Sequence, residues 1–361
     1  MKKILLYFLI SFVTLWISSC SKEDSPIPDS PPVDDTFIRA ADMSYLPLME
    51  SENTVFYNAD NQPEIALTTL KNAGCNTIRM RLWKNPSDSH SSFNEVKAYA
   101  QRVKQAGMKV WLTVHYSDTW ADPGQQATPA AWQNLTFSAL KTAVKDYTAS
   151  IITEIQPDII QIGNEINSGF LWPKGNLISQ ESQCLELLSA TSATIRAQSP
   201  TTKIMLHYAG IGADATWFFN KMNSVDYDYI GLSYYPIWHG KNLNDVKSSI
   251  TALGQTHNKK VLIAETAYAF TLNWNDWTNN IIGEQSQLLS TFPATPDGQK
   301  DYLLAIKKLL KETNYGIGFA YWGTEWIAFR GNESTNGSSW ENQALWDFEN
   351  KALPAMAVFN Q

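Results

Sequence analysis

From Phe37 onward, short apolar runs alternate with stretches of helical periodicity, and they do so eight times. The runs are Phe37–Asp42, Asn76–Leu82, Lys109–Val114, Ile159–Gly163, Lys203–His207, Tyr229–Ser233, Lys260–Ala264 and Ile317–Trp322. Helical patterns lie between them, among others at Phe93–Gln105, Ala139–Glu154, Glu181–Ser199, Leu243–Gly254 and Gly298–Glu312. Runs that are apolar throughout suit strands buried on both faces, as in a parallel sheet covered by helices. Eight such units without an internal repeat predict one α/β domain, a single (β/α)8 TIM barrel over residues 37–361. A doubly wound open sheet is the alternative, but it would more often carry a glycine-rich phosphate turn after its first strand, and none is present.

A barrel builds its site at the C-terminal ends of its strands, so those residues carry the argument. The run Ile159–Ile162 ends in Gly163-Asn164-Glu165, and Val261-Leu262-Ile263-Ala264 ends in Glu265. Two glutamates delivered in this way are what a retaining glycosidase requires, one as acid and one as nucleophile. The plainer reading, a pair of solvated strand caps, suits either residue alone but not both together with their neighbours. Period two places Arg79 and Arg81 on one face of the second strand, and arginines aimed into a barrel need anionic partners. The third strand ends in His115-Tyr116-Ser117-Asp118-Thr119-Trp120-Ala121-Asp122-Pro123-Gly124. The fifth ends at His207, the sixth in Ser233-Tyr234-Tyr235-Pro236-Ile237-Trp238, and the eighth in Tyr321-Trp322-Gly323-Thr324-Glu325-Trp326.

The chain of 361 residues is 44% hydrophobic and carries a net charge of -7, with no basic cluster. That balance argues against nucleic acid and polyanionic substrates and is compatible with a neutral one. Fourteen Trp, 15 Tyr and 15 Phe are a heavy aromatic load, and tryptophans near polar strand ends can stack on sugar rings. Residues 1–19 read as a secretory signal, Lys2-Lys3 followed by an apolar run from Ile4 to Ile17. Ile17-Ser18-Ser19-Cys20 looks like a lipobox, which makes Cys20 the expected lipidated N-terminus. Residues 20–36, polar and then proline-rich, form a tether, and Glu23-Asp24 within it resembles a surface-export signal. An exported outer-membrane lipoprotein is therefore expected, at the cell surface, touching the membrane only through its lipid anchor, and as a monomer. Cys75 and Cys184 lack metal-ligand spacing and read as buried thiols.

Several strand-end motifs together resemble one family. Asn164-Glu165 after strand four, a glutamate after strand seven, Arg79, Tyr235 and Trp322 fit the large clan of retaining (β/α)8 glycosidases. The run from His115 to Gly124, with Gly163-Asn164-Glu165-Ile166, Gly231-Leu232-Ser233-Tyr234-Tyr235-Pro236 and Ala264-Glu265-Thr266-Ala267-Tyr268, resembles glycoside hydrolase family 53, the endo-β-1,4-galactanases. The likeness runs from about Asp42 to Phe359. It implies endo-attack on β-1,4-galactan, the side chains of type I arabinogalactan and pectin, with Glu165 as acid/base and Glu265 as nucleophile. It also implies supporting roles for Asn164, Arg79 and Tyr235, with Arg79 holding Glu265 ionised and Asn164 holding the 2-hydroxyl of the sugar. Sugar contacts are expected from His115, Asp118, Trp120, His207, Tyr234, Trp238, Trp322 and Trp326, with Trp83 and Trp340 as further platforms.

The reaction implied needs no cofactor. Several bacterial members hold a structural calcium ion in the loop after strand seven, which here reads Leu272 to Asn280. Asn273, Asn275, Asp276 and Asn279 are its candidate ligands, but a single carboxylate makes any site there weak. Another retaining barrel glycosidase, of β-mannanase or arabinofuranosidase type, shares both glutamates and differs in the run from His115. A non-catalytic glycan-binding lipoprotein would lack a glutamate at 165 or 265, and both are present.

Overall fold

The computed structural model describes residues 37–360. The signal over 1–19, Cys20 and the tether over 20–36 lie outside the described residues. Eight strands close in sequence order into one barrel: β1 Ile38–Asp42, β2 Thr77–Leu82, β3 Lys109–Val114, β4 Ile159–Ile162, β5 Lys203–Ala209, β6 Tyr229–Ser233, β7 Lys260–Thr266 and β8 Gly316–Tyr321. Every neighbouring pair is parallel, including β1 with β8. The strand boundaries differ from the sequence-based ones by a residue or two, the usual play at element ends.

The helices start where their capping chemistry says they should. Ser92 accepts from the Glu95 N–H to open Phe93–Gln105, and Thr136 accepts from Ala139 to open Phe137–Glu154. Thr295 does the same ahead of Pro296–Lys311, whose first residue is a proline that has no N–H to satisfy. Helices Ala66–Asn72 and Ala213–Lys221 were not foreseen. Both are under three turns long, too short for a repeating apolar face to stand out.

Two apolar layers form. The outer one lies between strands and helices, and Cys75 and Cys184 are buried in it as free thiols. The inner one fills the barrel with Ile38, Ala40, Trp111, Ile159, Met205, Leu262, Ala264 and Ala320. Trp111 is fully buried there and is the largest side chain of that set, so its ring is the principal filling of the lumen. Gly231 on β6 keeps that space clear, because a Cβ there would come within 2.6 Å of the Met205 sulfur. The guanidinium of Arg79 lies 5.8 Å above the Trp111 ring, so the apolar floor ends directly beneath the polar layer at the barrel mouth.

Among the described residues no helix is long and apolar enough to cross a membrane. Trp111→Ala should cost about 3–5 kcal/mol of stability, the range for emptying a large aromatic site in a core that cannot collapse. Chemical denaturation followed by tryptophan fluorescence measures it. A loss below about 1 kcal/mol would mean that the lumen is not filled by this ring.

Candidate active site

The inward positions one step above the floor are polar: Arg79 on β2, Gln161 on β4, His207 on β5 and Ser233 on β6, all buried. Strict alternation along β7 would send Leu262 and Ala264 inward and Glu265 outward. The strand avoids this with a bulge. Leu232 pairs with Ile263, but the next residue, Ser233, pairs with Glu265, so Ala264 is skipped and Glu265 turns into the barrel mouth. On β4 the corresponding device is a turn. Gly163 has a φ of 75°, and a Cβ there would meet the Ile166 side chain at 2.4 Å, so the position demands glycine. Glu165 follows at a φ of 48°, a left-handed backbone that non-glycine residues hold only where their surroundings enforce it.

These devices bring an oxygen of Glu165 within 4.8 Å of an oxygen of Glu265. Their surroundings differ. Glu265 Oε1 accepts from Arg79 Nη2 at 2.7 Å, and its Oε2 accepts from the Tyr235 hydroxyl at 3.0 Å. Arg79 also donates to Asp42 at 2.5 Å and to Asn164 Oδ1 at 3.0 Å, so one guanidinium ties β1, β2, β4 and β7 together. Glu165 accepts at Oε1 from the Ser233 hydroxyl at 2.5 Å. Burial, and then the Glu265 charge, push its carboxyl up to about 8. Burial raises Glu265 too, against the opposing pull of Arg79. The expectation that Arg79 holds Glu265 down is thus corrected in its net direction, because a site this dry penalises any carboxylate. Of the pair, Glu265 remains the stronger acid, since only it is paired with a guanidinium, and the shared proton resides on Glu165.

Above the glutamates opens a cleft of about 540 Å³. Trp120, Trp238, Trp322, Trp326 and Trp340 line it, together with Asp122, Asn164 and Tyr235. Trp322 meets Trp340 edge to face at 4.5 Å and Trp326 at 5.5 Å, and Tyr235 meets Trp238 at 5.2 Å. Trp238 is 53% exposed at the rim. Trp83 is placed behind the wall, edge-on to Trp120 at 5.6 Å.

Four side chains expected on the cleft lie elsewhere. His115 is buried and accepts the Ala121 N–H at Nδ1, which folds the loop after β3 back on itself. Asp118 accepts from the backbone N–H groups of Asn85 and Ala130, so both its oxygens brace loops. Tyr234 is fully buried and donates to the Gly240 carbonyl. His207 is fully buried beneath Glu165. Strand-end position alone cannot tell a side chain that faces the cleft from one that holds up the loop beside it.

Arg81 needs a different correction. Among the described residues no carboxylate lies within ion-pair distance of it. Its guanidinium sits instead over the rings of Trp120 at 4.0 Å, Trp83 at 4.4 Å and Tyr45 at 4.7 Å, and it also bonds Ser91 and His90. An aromatic cage does the neutralising that a carboxylate was expected to do.

The candidate calcium loop does not gather into a cation site. Asp276 is buried and accepts from the N–H groups of Thr278 and Ser338, Asn275 donates to the Phe348 carbonyl, and Asn273 and Asn279 are exposed. Glu341, from farther along the chain, takes the N–H groups of Asn275 and Asp276, so the loop is held by carboxylate-to-amide bonds. Glu165, His207 and Glu265 do cluster, but both ring nitrogens of His207 are hydrogen-bonded and Arg79 already sits on Glu265. That chemistry does not suit a metal ion.

A profile of glycosyl hydrolase family 53 matches residues 38–359. The chain belongs to glycosyl hydrolase family 53. Among its relatives, an arabinogalactan endo-beta-1,4-galactanase of Cellvibrio japonicus (strain Ueda107) is 34% identical over 90% of each chain. An endo-beta-1,4-galactanase of Bacillus subtilis (strain 168) is 31% identical over 90% of this chain and 85% of its own length. The GH53 catalytic domain of Ignisphaera aggregans superposes with a TM-score of 0.86 at 34% identity, over 91% of this chain and 97% of that one. This family-53 barrel is therefore a glycosidase.

The dry setting of Glu165 has a cost in stability that can be measured. A carboxyl near 8 in the folded protein, against an ordinary value of 4.5, makes stability fall as pH rises between those two values. Glu165→Gln carries no such penalty. Its melting temperature should exceed that of the wild type by a margin that grows from pH 4.5 to about pH 8 and then levels. A margin that is flat with pH would show Glu165 to ionise freely.

Proposed function

We propose that this family-53 enzyme is an endo-acting, retaining β-1,4-galactanase in which Glu265 is the nucleophile and Glu165 the acid/base. One observation carries the mechanism: the two carboxylates approach within 4.8 Å, one on a guanidinium and the other in a raised, proton-holding setting. Retaining enzymes keep their carboxyls about 5–5.5 Å apart, whereas inverting ones leave about 6.5–9.5 Å for a water. The names of the relatives support the substrate, and a tryptophan-lined groove fits a chain of neutral sugars.

Glu265 attacks the anomeric carbon with its orientation held at both oxygens, by Arg79 and Tyr235. Glu165 gives its proton to the departing glycosidic oxygen. Once Glu265 is an ester its charge is gone, and with it one of the two main causes that raise Glu165. Having given up its proton, Glu165 then stays ionised as a carboxylate and takes a proton from the incoming water. Asn164 uses Oδ1 on Arg79 and Gln161 and one amide hydrogen on the Ala121 carbonyl. Its second amide hydrogen remains to hold the sugar 2-hydroxyl as charge develops. We further propose that Cys20 carries lipid and, with Glu23-Asp24 as an export signal, tethers the enzyme at the outer membrane surface, where an endo-enzyme would shorten galactan before uptake.

The purified protein should cleave unbranched β-1,4-galactan internally and leave β-1,4-mannan and β-1,3-galactan untouched. The first product seen by proton NMR should be the β-anomer. Glu165→Gln should lose about 10²–10⁴ in kcat on galactan, the range for a general acid, and Glu265→Gln at least as much. On the wild type, kcat/KM should fall as pH rises through about 8, where Glu165 loses its proton. Cleavage of mannan, or an α-anomer appearing first, would overturn the substrate or the mechanism respectively.

A further inference from the structure

The hydrogen bonds beneath Glu165 can run in only one direction. Arg79 can only donate, so the Gln161 atom facing it at 3.5 Å is Oε1, which also accepts from Thr113 at 3.3 Å. Gln161 Nε2 then faces three acceptors with its two hydrogens, the Gly163 carbonyl at 3.0 Å, Asn164 Oδ1 at 3.1 Å and His207 Nδ1 at 2.9 Å. The Glu165 backbone N–H points at the same Nδ1 from 3.2 Å. A backbone N–H can only donate, so that ring nitrogen must be bare. His207 is thus a neutral imidazole with its hydrogen on Nε2, and its burial, reinforced by Arg79, holds it well below the usual histidine range. Nε2 donates to the Ser233 oxygen at 2.9 Å, which leaves the Ser233 hydrogen for Glu165 Oε1 at 2.5 Å.

We propose that Gln161, His207 and Ser233 are positioning residues that make Oε1 of Glu165 a fixed acceptor and so place its catalytic proton on Oε2, towards the cleft. The inference rests on Glu165 being the acid/base. Oε2 takes no hydrogen bond from any described residue and is not sealed from solvent, while Glu165 itself lines the cleft. His207 has a second task. By accepting the Glu165 N–H it stabilises the left-handed backbone at that residue, so one imidazole fixes both ends of the glutamate. The Ser233 hydrogen does not move during the reaction. It is a stationary donor, and the proton that transfers is the one on Oε2, delivered to the glycosidic oxygen and later recovered there from water.

The other groups that face Glu165 are Arg79 from β2, Asp122 from the loop after β3, Tyr235 after β6 and Glu265 from β7. None of them would be altered by Ser233→Ala. A donor favours the charged carboxylate over the neutral acid, so its loss must raise Glu165 further. The test compares pH profiles of kcat/KM for galactan in the wild type, Ser233→Ala and Ser233→Thr. Ser233→Ala should move the alkaline limb up by about 0.5–1 unit and lower kcat about tenfold with KM within about twofold. Ser233→Thr, which keeps the hydroxyl, should return the limb to its wild-type position.

A control separates the two readings. Glu165→Gln is assayed on an aryl β-galactobioside whose leaving group needs no acid. If the alkaline limb persists there, Glu165 is not the acid and the positioning role falls with it. If the limb vanishes in Glu165→Gln but stays in place in Ser233→Ala, the acid/base reading stands and the positioning role alone is overturned. A limb that moves in both Ser233 variants would also overturn the positioning role, since it would trace the effect to packing and not to the hydroxyl. Thermal melting and galactan binding of each variant show that the fold is intact.

Discussion

The site depends on one buried cation. Arg79 sits on the apolar floor of the barrel with almost no water to solvate it, and such a charge survives only if its partners are fixed. They are Asp42, Glu265, Asn164 and Gln161, drawn from three strands besides its own. The guanidinium neutralises one of the two glutamates and leaves the other short of positive charge. That asymmetry separates two chemically identical side chains into an ion and an acid. It is an electrostatic consequence of where one arginine can reach, and it needs no difference in the glutamates themselves.

The fold was legible because eight uniformly apolar runs separated by helical periodicity leave few alternatives to a closed parallel barrel. Both glutamates were legible for the same reason, as acids at the ends of such runs. The geometry that makes them useful was not. A bulge at Ala264 leaves no mark in the residue types, and period-two reasoning would have turned Glu265 outward. Ser233 stood in a quoted motif without a role, and Gln161 inside a strand with none, because a buried polar network has no spacing rule. His207 and Tyr234 were assigned to the sugar and are buried away from the cleft lining. The signal available was alternation: Gln161, His207 and Ser233 are the inward positions one step above Ile159, Met205 and Gly231.

The cleft wall illustrates a second limit. A sequence offers arginines and tryptophans as separate candidates, one for ion pairs and the other for sugar stacking. In the folded chain Arg81 holds Trp120 and Trp83 by their faces, and Trp120 in turn meets Trp322 at 6.3 Å. Residues that never touch the cut bond thus set the angle of rings that do line the cleft. Cation–π contacts of this kind, at about 0.5–2 kcal/mol each, are strong enough to choose among rotamers and weak enough to escape any charge-pairing rule.

The skipped residue in β7 has a further meaning. The barrel itself asks only that β7 pair with β6 and β8, and an unbulged strand would satisfy that as well. What the extra residue supplies is the aim of a single carboxylate. The architecture and the chemistry are therefore separated by one peptide unit, and the same strand without its bulge would keep the tryptophan groove while pointing its acid into the helices. Seen in that light, capture of a glycan and cleavage of a glycan are neighbouring outcomes of the same scaffold, one backbone step apart.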